Sequence, residues 1–275
     1  MGQPIGRRGV FAGMGTSHPI ADAALAVAVE PPNLPPPPLR LRRPSLFLDM
    51  DGVLAPLAPT PDAVTPDPRR TAALRAVADR LGGRVAIVSG RTIAEIDRIS
   101  DRALGPASGV HGLERRRSDG SIQRAAADPA VERALAEFTA FADPRPGMIV
   151  EDKTVSAGLH YRGAPQHAAP AEALARRIAD ETGLTLQAGK LVVELKTPGA
   201  DKGTALKAFM REAPFAGGLP VMFGDDLTDE KGFIAAAGEG GFGVLVGPPR
   251  ETAARYGLPD VDAVLAWLEA VEDCE

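Results

Sequence analysis

Residues 46–54 read LFLDMDGVL, and this stretch decides the fold. Leu46, Phe47 and Leu48 are apolar on both faces, the pattern of a strand buried inside a parallel sheet. Asp49 and Asp51 stand where that strand should end. In an extended chain, residues two apart project the same way. Both carboxylates therefore point into the crevice beyond the strand, where open α/β sheets bind ligands. Gly52 lets the chain turn away without a steric penalty. Two like charges this close are unfavourable unless something positive lies beside them. A metal ion and a phosphate-gripping lysine would meet that need.

Outward from this stretch, helical and strand patterns alternate. Leu74, Val77, Ala78 and Leu81 fall at helical spacing, and Gly82 and Gly83 end the run. Residues 84–89, RVAIVS, form a second buried strand closing at Gly90. Together these make a β-α-β unit, which is right-handed almost without exception. Ile93, Ile96 and Ile99 mark a short helix, with Thr92 as its cap. Residues 107–112, ASGVHG, are a third strand or its end, and SDG at 118–120 is a hairpin turn. The character then changes. A helix over 129–141, an antiparallel pair over 148–162, a helix over 170–182 and a hairpin over 184–196 give the order α-β-β-α-β-β. The parallel pattern resumes with a helix from Asp201. A strand over 220–223 follows and ends in Gly224-Asp225-Asp226. A helix over 228–237, a strand over 241–246 and a closing helix over 261–271 complete the chain. The predicted fold class is α/β: a Rossmann-like parallel-sheet core with helices on both faces, plus an inserted α+β cap domain. Residues 44–125 and 197–275 would form the core, 126–196 the cap, and 1–43 a disordered proline-rich leader.

The composition is that of a soluble globular protein, with 44% hydrophobic and 24% charged residues in 275. A net charge of −5 gives no reason to expect a nucleic-acid partner. Cys274 is the single cysteine, so no internal disulfide can form, which fits a reducing compartment. Residues 31–44, PPNLPPPPLRLRRP, read as a polyproline-II spacer followed by the basic cluster Arg40, Arg42 and Arg43. The apolar run ADAALAVAV at 21–29, with Arg7 and Arg8 upstream, raises a secretory signal as an option. Its Asp22 and long polar leader favour a short amphipathic or disordered segment instead. No run approaches the ~20 apolar residues of a transmembrane helix. The expectation is a cytoplasmic monomer with a small-molecule substrate and no membrane partner.

Each chemical motif has a plain alternative. Asp49 and Asp51 could be turn residues. As reactive groups, Asp49 would attack phosphorus and form an aspartyl phosphate. Asp51 would then protonate the leaving oxygen and later deprotonate water. Ser89, in VSGR, could simply start a helix, or could grip a phosphoryl oxygen together with nearby backbone N–H groups. Lys202 opens a helix, where an ammonium opposes the macrodipole. That misfit favours a role in binding phosphate and steadying Asp49. Asp225, Asp226 and Asp229 cluster directly after a buried strand, and hard oxygen ligands of this kind suit Mg²⁺. Helix capping accounts for some of these acids. Asp225 is the expected direct metal ligand, with Asp226 and Asp229 behind it.

The order of nucleophile acid, hydroxyl, lysine and acid cluster, each at a strand end or helix start, resembles the haloacid dehalogenase superfamily of phosphohydrolases. LFLDMDGVLAPL, IVSGR, GVHGLE, EDKTVSAGLHYR, VELKTPGADKG and FGDDLTDE together resemble the trehalose-6-phosphate phosphatase family. The resemblance implies Mg²⁺-dependent hydrolysis of trehalose 6-phosphate to trehalose and phosphate. It implies that Asp49, the Asp51 backbone carbonyl and Asp225 hold the metal, while Ser89 and Lys202 hold phosphate. Glu151, Lys153, His160, Arg162 and Glu194 could be the solvated face of an antiparallel sheet. The resemblance instead matches Glu151, Lys153 and Glu194 to residues that contact the distal glucose hydroxyls. It places His111 and Glu114 in a core loop near the substrate, with Arg91 near the site or on the surface. Two other readings stay open: another sugar phosphatase, acting on sucrose 6-phosphate or mannosyl-3-phosphoglycerate, or a non-catalytic sugar-phosphate sensor.

Overall fold

The computed structural model describes residues 1–2, 33–58 and 60–274. The expectations for 3–32, including the apolar run at 21–29, lie outside them. In chain order the strands and helices begin with β1 (Arg40–Leu41), β2 (Pro44–Leu48), α1 (Pro68–Arg80), β3 (Val85–Val88) and α2 (Ile93–Ser100). Then come β4 (Ala107–Gly109), β5 (Glu114–Arg116), β6 (Ile122–Arg124), α3 (Ala130–Ala142), β7 (Ile149–Asp152) and β8 (Ser156–His160). Next are α4 (Ala168–Thr182), β9 (Thr185–Gly189), β10 (Val192–Lys196), α5 (Lys202–Met210) and β11 (Leu219–Gly224). Last are α6 (Glu230–Gly238), β12 (Phe242–Val246), β13 (Tyr256–Leu258), α7 (Val261–Ala270) and β14 (Glu272–Asp273).

Among the described residues the main sheet runs β13-β12-β11-β2-β3-β4-β5-β6. It is parallel from β13 to β4 and antiparallel at β5 and β6. β2 is central, with Leu46 beside Val221 on one flank and Val85 on the other. The strand period of two sorts its side chains between two cores. Leu46, Leu48, Ile87 and Phe223 pack with α1, α2 and α7 through Leu74, Ile96 and Leu268. Phe47, Val88 and Met222 pack with α5 and α6 through Leu206, Phe209 and Phe233. Burial on both faces is why the run at 46–48 is uninterrupted by polar residues. Phe47 stacks on Phe215 with centroids 5.5 Å apart and meets Phe209 at 6.0 Å.

The segment from 126 to 196 follows the expected α-β-β-α-β-β order and builds an antiparallel sheet, β7-β8-β10-β9. Its odd-numbered strand residues Leu159, Val193 and Leu195 pack with Phe138 and Ile178 of α3 and α4 in a core of their own. The opposite face of the sheet looks away from that core. On that face Glu151, Gly158, Glu194 and Gln187 lie in one row across four strands.

The chain before Pro44 departs from the expected leader. Leu41 is buried, β1 pairs with β14 in parallel, and Gly257 N donates to the Pro35 carbonyl at 3.0 Å. Trp267 Nε1 donates to the Pro37 carbonyl at 3.3 Å. Polyproline chain makes no internal hydrogen bonds. Its carbonyls remain free to accept from the fold, and composition alone does not register that. β13 and β14 were also not anticipated, being short and of mixed character. The helix expected over 228–237 divides into a 3₁₀ turn, Leu227–Asp229, and α6. Among the described residues no helix is long and apolar enough to cross a membrane.

Candidate active site

The acids and the lysine meet at the C-terminal edge of the parallel sheet. Asp49 follows β2, and its amide donates to Phe223 O of β11 at 3.1 Å. Lys202 is the first residue of α5, whose cap is Asp201. Its ammonium is 2% exposed and donates to Asp49 Oδ2 at 2.7 Å and Asp229 Oδ1 at 2.6 Å. The other oxygen of Asp229 accepts from the amides of Asp225 at 2.9 Å and Asp226 at 3.1 Å. Asp229 thus orients both the lysine and the loop after β11. Gly52 has φ +76, and a Cβ there would fall 2.1 Å from Asp225 Oδ2. Glycine alone lets the two acid-bearing loops approach this closely.

Carboxylate oxygens of Asp49, Asp225 and Asp229 all lie within 4.8 Å of one another. Burial raises the Asp49 carboxyl well above the usual range, with Lys202 pulling the other way. Burial also raises Asp229, again against Lys202. It pushes Asp225 up to about 6, opposed by Lys190. Burial works against charge on Lys202, but Asp229 and Asp49 outweigh it and raise its pKa. Asp49 and Asp229 thus share one buried ammonium, with Asp225 beside them paired to Lys190. The hard-oxygen donors and surplus negative charge fit a divalent cation such as Mg²⁺. Asp226 was expected behind Asp225, but its carboxylate caps the following turn, accepting from Thr228 N at 2.7 Å and Thr228 Oγ1 at 2.6 Å. Of the two acids expected behind Asp225, Asp229 is the one in the cluster.

The Asp51 side chain stays out of that cluster. Arg91 grips it with two parallel bonds, Nε to Oδ2 and Nη2 to Oδ1, each 2.7 Å. Ser89, at the end of β3, is 1% exposed, and its Oγ accepts from Arg91 N at 3.3 Å. Thr92 and Glu95 close a capping box at the start of α2, as Thr92 predicted.

His111 enters from a strained turn. Val110, His111 and Gly112 have φ of 45°, 52° and 101°. A β-branched residue at positive φ is a genuine outlier of the kind found at functional sites. Backbone bonds from Val110 N to Arg91 O at 2.9 Å and His111 N to Ser89 O at 3.0 Å hold it. A Cβ on Gly90 would lie 2.5 Å from His111 Nε2, so the ring rests against bare backbone. Burial pushes the imidazole down to about 4, so the ring is neutral, even though Glu194 favours its charge.

The face of the inserted sheet that looks away from α3 and α4 closes the cleft from above. Lys153 reaches across to Gly90 O at 3.0 Å and pairs with Glu194 at 3.2 Å and Glu151 at 3.4 Å. Burial disfavours its charge, but Glu194 and Glu151 prevail and raise its pKa. Burial works to raise Glu194, yet Lys153 and His111 hold it far below the usual carboxylate range. Ser156 Oγ donates to Glu194 at 2.6 Å, and His160 Nε2 sits 2.8 Å from Glu151. Arg162 spans from the Ala58 carbonyl of the core to the Lys190 carbonyl.

One cleft is lined by Asp49, Asp51, Ser89, Arg91, Lys202 and Asp225 below and by His111, Glu151, Lys153, His160, Arg162 and Glu194 beside and above. Glu114 is the exception to the expected set and does not line the cleft. Its carboxylate accepts from Ile93 N, at the start of α2, and from Arg124 Nε, both at 3.0 Å. The helix start and the arginine of β6 hold it away. Sequence reasoning also missed Gln187 and Lys190, which line the same cleft. Gln187 Nε2 stands 2.6 Å from His111 Nε2. Its place opposite Glu194 in the hairpin was readable from strand register; the reach of Lys190 to Asp225 was not.

The trehalose-phosphatase family model matches residues 47–261. A probable trehalose-phosphate phosphatase of Sinorhizobium fredii is 37% identical over 230 residues, covering 82% of this chain and 87% of its own. The trehalose-6-phosphate phosphatase of Escherichia coli is 39% identical over 227 residues, covering 82% and 85%. The C-terminal domain of Candida albicans trehalose-6-phosphate phosphatase superimposes with a TM-score of 0.72 at 23% identity, covering 83% of this chain and 91% of that one. At that identity the likeness speaks for the fold. A crystal structure of a trehalose-6-phosphate phosphatase related protein gives 0.66 at 25% identity, covering 82% and 95%. With a family model spanning most of its length and relatives above a third identical, the chain belongs to the trehalose-phosphatase family.

Proposed function

We propose that the chain hydrolyses trehalose 6-phosphate to trehalose and phosphate, in trehalose synthesis, through an aspartyl phosphate on Asp49. The supporting observation is Lys202, buried between Asp49 and Asp229 with Asp225 beside them, under a polar sheet face rich in carboxylates. An Asp49 oxygen attacks phosphorus as the bond to the sugar oxygen breaks. Asp51 gives that oxygen its proton. Asp51 then takes a proton from water, whose oxygen attacks phosphorus and frees Asp49. Arg91 fixes where the oxygens of Asp51 stand, and Lys202 and Ser89 hold the phosphoryl oxygens. Asp49, Asp225 and the Asp51 backbone carbonyl would hold Mg²⁺, which neutralises charge on the transferred group.

Glu151, Lys153 and Glu194 supply acceptors and an ammonium for sugar hydroxyls, with His160 and Arg162 beside them. Closure of the inserted sheet over the core keeps bulk water away during transfer. We place the enzyme in the cytoplasm as a monomer. Phosphate release is measured on trehalose 6-phosphate, sucrose 6-phosphate and mannosyl-3-phosphoglycerate, each with an EDTA control. Preference for trehalose 6-phosphate, lost in Asp49→Asn and with EDTA, is expected. Equal rates on all three would refute the sugar assignment, and binding of trehalose 6-phosphate without phosphate release would refute the enzyme.

A further inference from the structure

Lys190 stands at the tip of the β9–β10 hairpin, in a two-residue turn whose second residue, Leu191, has φ +62. Its ammonium forms an ion pair with Asp225 Oδ2, although its side chain is 46% exposed and that of Asp225 only 7%. The contact is fixed from behind. Arg162 donates to the Lys190 carbonyl at 3.1 Å and also bonds the Ala58 carbonyl, bracing the hairpin tip against the core. The same Asp225 carboxylate belongs to the cluster with Asp49 and Asp229.

We propose that Lys190 and the divalent metal compete for Asp225, so that the hairpin tip and the metal displace one another. The proposal rests on the metal reading given above and goes beyond it. An ammonium and a doubly charged ion on the same carboxylate repel each other, the more strongly the less water screens them. Whatever binding energy Lys190 draws from Asp225 must be given up when the metal binds. By linkage, the metal loosens the hairpin tip by the same factor that the lysine weakens the metal.

The test titrates Mn²⁺ into EDTA-treated full-length protein and follows free Mn²⁺ by electron paramagnetic resonance. Wild type is compared with Lys190→Met, Lys190→Arg and Asp225→Asn. Lys190→Met keeps the length of the side chain and removes its charge at an exposed turn, where the fold has little at stake. It should bind Mn²⁺ at least about 5-fold more tightly than wild type, the lower end of ordinary coupling between sites. Lys190→Arg should remain close to wild type. Equal or weaker Mn²⁺ affinity in Lys190→Met, with affinity lost in Asp225→Asn, overturns the competition and leaves the metal site standing. Unchanged affinity in both variants overturns the competition and the metal site together.

Discussion

Replacing Asp229 by asparagine tests how the site is held. Asp229 is fully buried, and its two oxygens serve different partners: Lys202 on one, the amides of Asp225 and Asp226 on the other. Asparagine has one acceptor oxygen. If it faces Lys202, its NH₂ confronts two backbone N–H donors; if it faces the backbone, its NH₂ confronts the ammonium. Either way a buried donor loses its partner, at about 1–3 kcal/mol. Lys202 also loses one of two anions, and breaking a buried ion pair from one side destabilises by about 3–5 kcal/mol. The second figure already contains the first, because the unpaired donor is part of the broken pair, so the whole change should lower stability by about 3–5 kcal/mol. With Asp229 gone, Lys202 leans on Asp49 alone and the loop bearing Asp225 drifts, so kcat should fall about 100-fold. Urea unfolding at pH 7 is followed by the fluorescence of Trp267, the single tryptophan, whose ring lies 5.0 Å from that of Phe223. Phosphate release gives kcat. A loss below about 1 kcal/mol with near-normal kcat would mean that Asp229 is already protonated, and the charge argument fails.

Four further predictions follow from the same contacts. Asp225 has its folded pKa raised to about 6 from 3.8, so the folded state holds the extra proton and metal-free stability falls as pH rises through 4–6. Subtracting the pH profile of Asp225→Asn from that of wild type should isolate a decline of about 1–3 kcal/mol, and a flat difference would refute it. Gly52→Ala would drive a methyl to 2.1 Å from Asp225 Oδ2 at φ +76, so Mg²⁺ affinity measured calorimetrically should drop at least about 10-fold. Glu194→Gln should raise KM for the sugar phosphate about 10- to 100-fold, the equivalent of one charged hydrogen bond, with a smaller change in kcat. Phe47→Ala, between the rings of Phe209 and Phe215, should cost about 3–5 kcal/mol in urea unfolding while leaving KM of the folded enzyme near normal.

What could be read from the sequence was whatever local pattern determines. The buried run at 46–48 needs no partner to be recognised, because a strand covered on both faces has nowhere to place a polar residue. The acids that follow it gain their position from the strand end itself. Capping at Thr92 is likewise settled within four residues, Thr92 to Glu95. Glu114 was legible as a residue and not as a position: its neighbours Ile93 and Arg124 lie in other elements, and they draw it away from the cleft. Asp226 and Asp229 could not be told apart on paper, since both follow the same strand. Turn geometry gives one to Thr228 and the other to Lys202. The proline segment misled because composition reports the absence of a core-forming pattern. It says nothing of carbonyls that Gly257 and Trp267 can reach.

These particulars share one electrostatic logic. In water, Asp49, Asp225 and Asp229 would repel only weakly; buried together, their repulsion grows as the local dielectric falls. Lys202 offsets part of that repulsion permanently, because it is walled in by the acids it serves. Lys190 offsets another part from an exposed turn. A buried cation and an exposed one beside the same acids do different work. The first fixes where Asp49 stands, whether or not substrate is present. The second ties the state of the acids to the position of the sheet that carries Glu151, Lys153 and Glu194. On the proposed function, charge at the bottom of the cleft and the polar sheet face at its top form one coupled system, and a substitution at either end should register at the other.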